Sequence, residues 1–97
     1  MRKEMVVQIA GGLEARPIAV LVQVASQYES SIYLEAAGKR VNAKSIMGMM
    51  TMALKAGETL TVEATGSDEA AAIEGIEKYM ASNGIEDIQE LIGAVHE

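Results

Sequence analysis

Apolar residues in this chain switch repeatedly between a two-residue period and a helical one, all within 97 residues. A chain of this length builds a single core, so periods that alternate at such short range point to one sheet covered by one layer of helices. Met5, Val7 and Ile9 alternate with Val6 and Gln8, and Gly11-Gly12 ends this first predicted strand. From Arg16-Pro17 onward, Ile18, Leu21, Val22 and Ala25 recur at helical spacing. Pro17 suits a first helical turn, where its missing N–H leaves no bond unmade, and the helix is predicted to end near Tyr28. Ile32 and Leu34 open a second strand, Ala37-Gly38 turns the chain, and Val41 sits in a return strand, so this pair should form a hairpin.

Ser45 precedes an apolar run from Ile46 to Leu54, which predicts a second helix capped by Ser45 and stopped by Gly57. Leu60, Val62 and Ala64 alternate with Thr61, Glu63 and Thr65 in a fourth strand whose polar outward face leaves one side of the sheet solvated. Ser67, Asp68 and Glu69 supply a cap and first-turn acids for a third helix, with Ile73, Ile76 and Met80 as its buried stripe and Asn83-Gly84 as its end. The order β-α-β-β-α-β-α describes an α+β fold with helices on one face of a mostly antiparallel sheet. Ile88, Leu91, Ile92 and Val95 then repeat at helical spacing after Asp87 and Glu90, predicting a short fourth helix within residues 85–97. A helix of that length is marginal alone, so it should dock, with the same subunit favoured.

Residue inventory narrows the chemistry. Without Cys, and with His96 as the single histidine, one chain cannot assemble a Ser/His/Asp triad, a Cys/His pair or a His-rich metal site. No cofactor is expected. Residues 66–97 carry eight acids and one base, against six acids and seven bases in residues 1–65. An acidic tail is repelled by phosphate backbones and anionic membranes, and three Tyr with no Phe or Trp give bases little to stack on. Direct nucleic-acid and membrane partners are therefore not expected. Glu4 and Gln8 interrupt the apolar run that a cleavable leader after Arg2-Lys3 would need, and a cytoplasmic protein is the simplest reading.

Gly12-Leu13-Glu14-Ala15-Arg16-Pro17 stands before the first helix, and Asn42-Ala43-Lys44-Ser45-Ile46-Met47-Gly48 leads into the second. Gly66-Ser67-Asp68-Glu69-Ala70 precedes the third. In this order the three stretches resemble the HPr phosphocarrier family of the bacterial sugar phosphotransferase system, over about residues 4–82. The resemblance implies an open-faced β-sandwich, a four-stranded antiparallel sheet with three helices on one side. It divides the chain into an HPr-like domain, residues 1–84, and a C-terminal helical extension, residues 85–97.

The family's first motif normally places a phosphate-carrying histidine between Leu and Ala, where this chain has Glu14. Imidazole passes phosphate on through a phosphoramidate, whereas a carboxylate would have to form an acyl phosphate of different geometry and reactivity. Arg16 completes what is then a degenerate carrier site. In Gram-positive members the serine of the second motif is phosphorylated by an HPr kinase/phosphorylase, and carried over it is Ser45. A retained serine with a lost carrier histidine looks like the Crh-like branch of the family, which has Gln at the histidine position. Phosphorylated members of that kind act as corepressors of a LacI-type catabolite control protein, so DNA contact belongs to the partner.

Each residue also has a plainer reading. Ser45 can serve only as an N-cap, Glu14 only as a surface carboxylate near Arg16, and Lys39, Arg40 and Lys44 only as a solvated basic face. Glu14 has two other readings, mimicry of a phosphorylated histidine and catalytic base. Met47, Met49, Met50 and Met52 cannot all point inward from a short helix. Met49 and Met52 are expected in the core, with Ile46, Met47 and Met50 exposed around Ser45 as an adaptable docking patch. The resulting expectation is a noncatalytic regulator acting through Ser45 phosphorylation and protein contact. Its partner-binding residues would be Ile46, Met47, Met50, Arg16, Lys39, Arg40 and Lys44. The alternative is a phosphocarrier that uses Glu14 or another unconventional acceptor.

Overall fold

Seven elements follow one another in the expected order: β1 (Arg2–Val6), α1 (Ala15–Ser26), β2 (Ser31–Ala36), β3 (Lys39–Asn42), α2 (Ile46–Met49), β4 (Thr59–Thr65) and α3 (Glu69–Met80). The structure, a computed structural model, describes residues 1–81. The predicted end of the third helix at Asn83-Gly84, the predicted helix within residues 85–97 and His96 lie outside the described residues. The sheet runs β1-β4-β2-β3, with every neighbouring pair antiparallel.

Register explains the core. Met5 stands opposite Leu60, Ile32 opposite Ala64, and Leu34 opposite both Val62 and Val41. One face of the sheet is therefore an apolar row that the helices must cover. Ile18, Leu21, Val24 and Ala25 of α1 and Ala72, Ile73, Ile76, Tyr79 and Met80 of α3 bury against it. Val24 is buried where Val22 was expected, and Val22 is only partly covered at the edge of the same cluster.

The opposite face is open and charged. Arg2 reaches Glu35 at 3.1 Å and Glu63 at 3.2 Å, while Arg40 pairs with the same two carboxylates and lies 4.3 Å from the centre of the Tyr33 ring. Hydrogen bonds from Arg2 and Arg40 hold the Glu35 carboxyl below its ordinary range, and Arg40 does the same for Glu63. These cross-strand pairs carry the first strand back to Arg2, ahead of the apolar alternation that starts at Met5. Lys3 adds a 2.8 Å ion pair to Glu77 of α3. Val7 and Ile9 are still buried beyond the strand's end, because Val7 exchanges backbone bonds with Glu58 and Gly57.

Two helices differ from expectation, α2 at its end and α3 at its start. The second helix is a single turn and not the run to Leu54. After Met49 the backbone tightens to three-residue bonds, Thr51 N–H to Gly48 and Met52 N–H to Met49, and the Thr51 hydroxyl also donates to the Gly48 carbonyl. The tighter path turns Met52 and Leu54 into the core. At the third helix Ser67 is not the cap. Asp68 occupies that position, yet its carboxylate faces away from the helix and accepts from Glu29 N–H at 2.9 Å, Ser30 N–H at 3.0 Å and Ser30 Oγ at 2.5 Å. Ser30 is 1% exposed, so its hydroxyl needs that acceptor.

Candidate functional site

Asn42 begins the site. Its Oδ1 accepts from Lys44 N–H at 2.8 Å and its carbonyl from Ser45 N–H at 3.0 Å, an Asx turn that bends the chain from β3 into α2. Ser45 then adopts an extended backbone, φ −104° and ψ 111°, and its Oγ accepts from Gly48 N–H at 3.2 Å. This is the expected N-cap, on a half-buried residue. Gly48 lies beside that hydroxyl and Val41: an added Cβ would make ordinary contacts, 3.4 Å from Ser45 Oγ and 3.6 Å from Val41 Cβ.

Met49 anchors the turn with 0% exposure, whereas Ile46, Met47 and Met50 are 50%, 81% and 53% exposed. The short helix thus holds one methionine in the core and presents three large apolar side chains beside Ser45. Met52 is buried as well, so the inside and outside of this methionine-rich segment fall where helical geometry and the later tight turn send them.

The basic residues divide. Lys44 Nζ donates to the Tyr28 carbonyl at 2.6 Å, and Lys39 Nζ donates to the Thr51 carbonyl at 3.0 Å, just past α2. The Lys39 ammonium therefore borders the end of the turn, while that of Lys44 is held at the loop after α1. Arg40 does not join them: Val41 faces Gly48, and its neighbour Arg40 projects to the other side of β3 into the network with Glu35 and Glu63. Sequence proximity alone grouped three cations that the pleat separates.

Glu14 is exposed at the N-cap position of α1, extended at φ −105° and ψ −174°, and its side chain makes no cap hydrogen bond. Its carbonyl accepts from Ile18 N–H at 2.9 Å. Arg16 is exposed in the first turn of the same helix. The loop ahead of Glu14 meets the segment after α2 through Leu13 N–H and the Leu54 carbonyl, 2.8 Å apart, so the two motif-bearing regions share one side of the molecule. Asn42, Thr51 and the Tyr28 carbonyl were not among the expected site residues. Only Asn42 left a readable signal, as an Asx-turn residue two positions before Lys44. Among the described residues no group of three or more His, Asp or Glu is placed to hold a metal ion, and no helix is long and apolar enough to cross a membrane.

The family model described as the PTS HPr component phosphorylation site matches residues 1–82. The HPr-like protein Crh of Halalkalibacterium halodurans is 45% identical over 76 residues, covering 78% of this chain and 90% of that protein. The Crh protein of Bacillus subtilis is 42% identical over 80 residues, covering 82% and 94%. Among solved structures, HPr-C-His from Thermoanaerobacter tengcongensis superposes with a TM-score of 0.83 at 37% identity, covering 90% of this chain and 98% of that one.

Proposed function

This chain belongs to the HPr family of the phosphotransferase system, and on that premise we propose that it is a noncatalytic regulator switched by phosphorylation of Ser45. One observation carries the reading: the Ser45 hydroxyl is held at a helix start beside three exposed apolar side chains, Ile46, Met47 and Met50. A kinase needs a serine it can reach and a surface it can grip, and the anchored turn supplies both. The phosphoryl group would meet first-turn N–H groups directly. Because α2 is a single turn, those local donors matter more than a summed helix dipole. Lys44, next to Ser45 in the chain, and Lys39, whose ammonium borders the end of the turn, add positive charge.

The partners in this reading are an HPr kinase/phosphorylase, which moves the γ-phosphoryl group of ATP to Ser45 Oγ, and a LacI-type catabolite control protein in the cytoplasm, which binds the phosphorylated form. Arg16, Lys39, Lys44, Ile46, Met47 and Met50 form the docking side. Arg40 is left out because its guanidinium is committed to Glu35 and Glu63 on the open face. Likeness to the HPr-like Crh proteins supports a regulatory role, and Glu14 in place of the carrier histidine supports regulation over phosphate relay.

The deciding experiment is intact-mass measurement with peptide mapping, after incubation with HPr kinase and ATP and, separately, with enzyme I and phosphoenolpyruvate. One phosphoryl group on Ser45 in the first reaction, absent in Ser45→Ala, is the expected result. Undiminished labelling of Ser45→Ala would refute the assignment.

A further inference from the structure

We propose that Met47 and Met50 form an oxidation-sensitive switch on the docking surface, an inference that rests on the regulator reading above. The seven methionines fall into two classes. Met49, Met52, Met80 and Met5 are 0%, 2%, 1% and 5% exposed, whereas Met47, Met50 and Met1 are 81%, 53% and 55% exposed. A dissolved peroxide reaches thioethers in the second class first. Two of those three stand on the α2 turn beside Ser45.

The reaction is complete with hydrogen peroxide as the named oxidant. A sulfur lone pair attacks one peroxide oxygen, the O–O bond breaks, the S–O bond of the sulfoxide forms, and proton transfer releases water. Sulfur loses two electrons and the peroxide gains them. The product replaces a flexible apolar tip with a strongly polar, hydrogen-bond-accepting one, and dedicated reductases can reverse it. On a buried residue that change would disrupt the core. On Met47 and Met50 it alters the surface that a partner must desolvate, while Met49 keeps the turn anchored. The expected outcome is a folded protein with a damaged docking face.

The test is a hydrogen peroxide titration of the full chain, followed by peptide mapping, thermal unfolding and the HPr kinase reaction. Early oxygens should map to Met47 and Met50, together with Met1, with the unfolding midpoint unchanged. At that stage kcat/KM for phosphorylation should fall by about tenfold, the scale of one lost interface contact. In the Met47→Leu/Met50→Leu chain the ratio of treated to untreated rate should stay near one, whatever the starting rate. Early oxidation of Met49 or Met52, or an unchanged wild-type rate after Met47 and Met50 are oxidised, would overturn the proposal. A wild-type chain that the kinase ignores before any peroxide is added would overturn the regulator reading, and the switch with it. The mapping arm reads out separately.

Discussion

Gly12 lies with its bare Cα against the backbone of Leu54, and the adjacent Leu13 N–H donates to the Leu54 carbonyl at 2.8 Å. An added Cβ on Gly12 would fall inside van der Waals contact with the Leu54 oxygen and 2.8 Å from Lys55 Cα, on a residue already in the left-handed region at φ +79°. The loop carrying Glu14 and the segment leaving α2 are therefore locked together by backbone, with no side chain free to yield. Gly12→Ala combines a left-handed penalty with overpacking against main chain. It should cost about 2–4 kcal/mol of stability, read from the shift in urea midpoint. A variant as stable as wild type would mean that the two segments separate easily.

Ser45 has two roles that substitution can pull apart. Ser45→Ala removes the acceptor for Gly48 N–H and should lose about 1 kcal/mol, whereas Ser45→Asp retains a capping oxygen and should stay within a few tenths of wild type. Neither variant should accept phosphate from the kinase. Parallel unfolding curves and kinase assays check both statements. Equal stability of all three proteins would show that the cap contributes nothing.

Much of this was legible in the sequence because burial imposed it. The alternation of Leu60, Val62 and Ala64 and the spacing of Ile73, Ile76 and Met80 mark core positions, and all six are buried. The exposed trio Ile46, Met47 and Met50 and the Ser45 cap also followed from local rules. What periodicity could not reveal was set by individual polar contacts, distant or local, and by the pleat of the strands. Arg2, through its pairs with Glu35 and Glu63, belongs to β1 without any apolar signal. Asp68 serves Ser30, 38 residues away, in place of its own helix. Thr51 and the tight bonds after Met49 end α2 early, inside a largely apolar run that continues to Leu54. Arg40 looked like a neighbour of Ser45 until the pleat of β3 sent it to the other face.

The Asp68 contact has a pH signature. Its carboxyl titrates below the ordinary value, first because the Ser30 hydroxyl donates to it, then because the Glu29 and Ser30 N–H groups do, with burial opposing. A group whose folded pKa is depressed stabilises the fold above its unfolded pKa, about 3.9 for Asp, and that contribution is lost as pH falls through the folded pKa. Asp68→Asn is neutral at every pH. It should be less stable than wild type at pH 7, and the gap should narrow as the pH drops below about 4. Urea midpoints of the two proteins from pH 7 to pH 2.5 check this, and a gap that does not change with pH would place the effect of Asp68 elsewhere than in its charge.

Glu14→His tests what separates this chain from a phosphate relay. The side chain at this position is exposed and makes no cap hydrogen bond, so imidazole can replace carboxylate without breaking any interaction of the cap. The fold should keep its stability within about 0.5 kcal/mol. Chemically the exchange is large, since an imidazole nitrogen attacks phosphorus, holds the group as a phosphoramidate and gives it up when an acceptor attacks, whereas a carboxylate forms an acyl phosphate. With enzyme I and phosphoenolpyruvate, wild type should take up no transferable phosphate, and Glu14→His should gain an acid-labile phosphoryl group that passes in part to a sugar-specific acceptor. Arg16 stands in the first turn of the same helix, two residues from the new imidazole. Radiolabel transfer from phosphoenolpyruvate measures both. Efficient onward transfer by the wild-type chain would instead assign Glu14, or another unconventional acceptor, the work of a carrier.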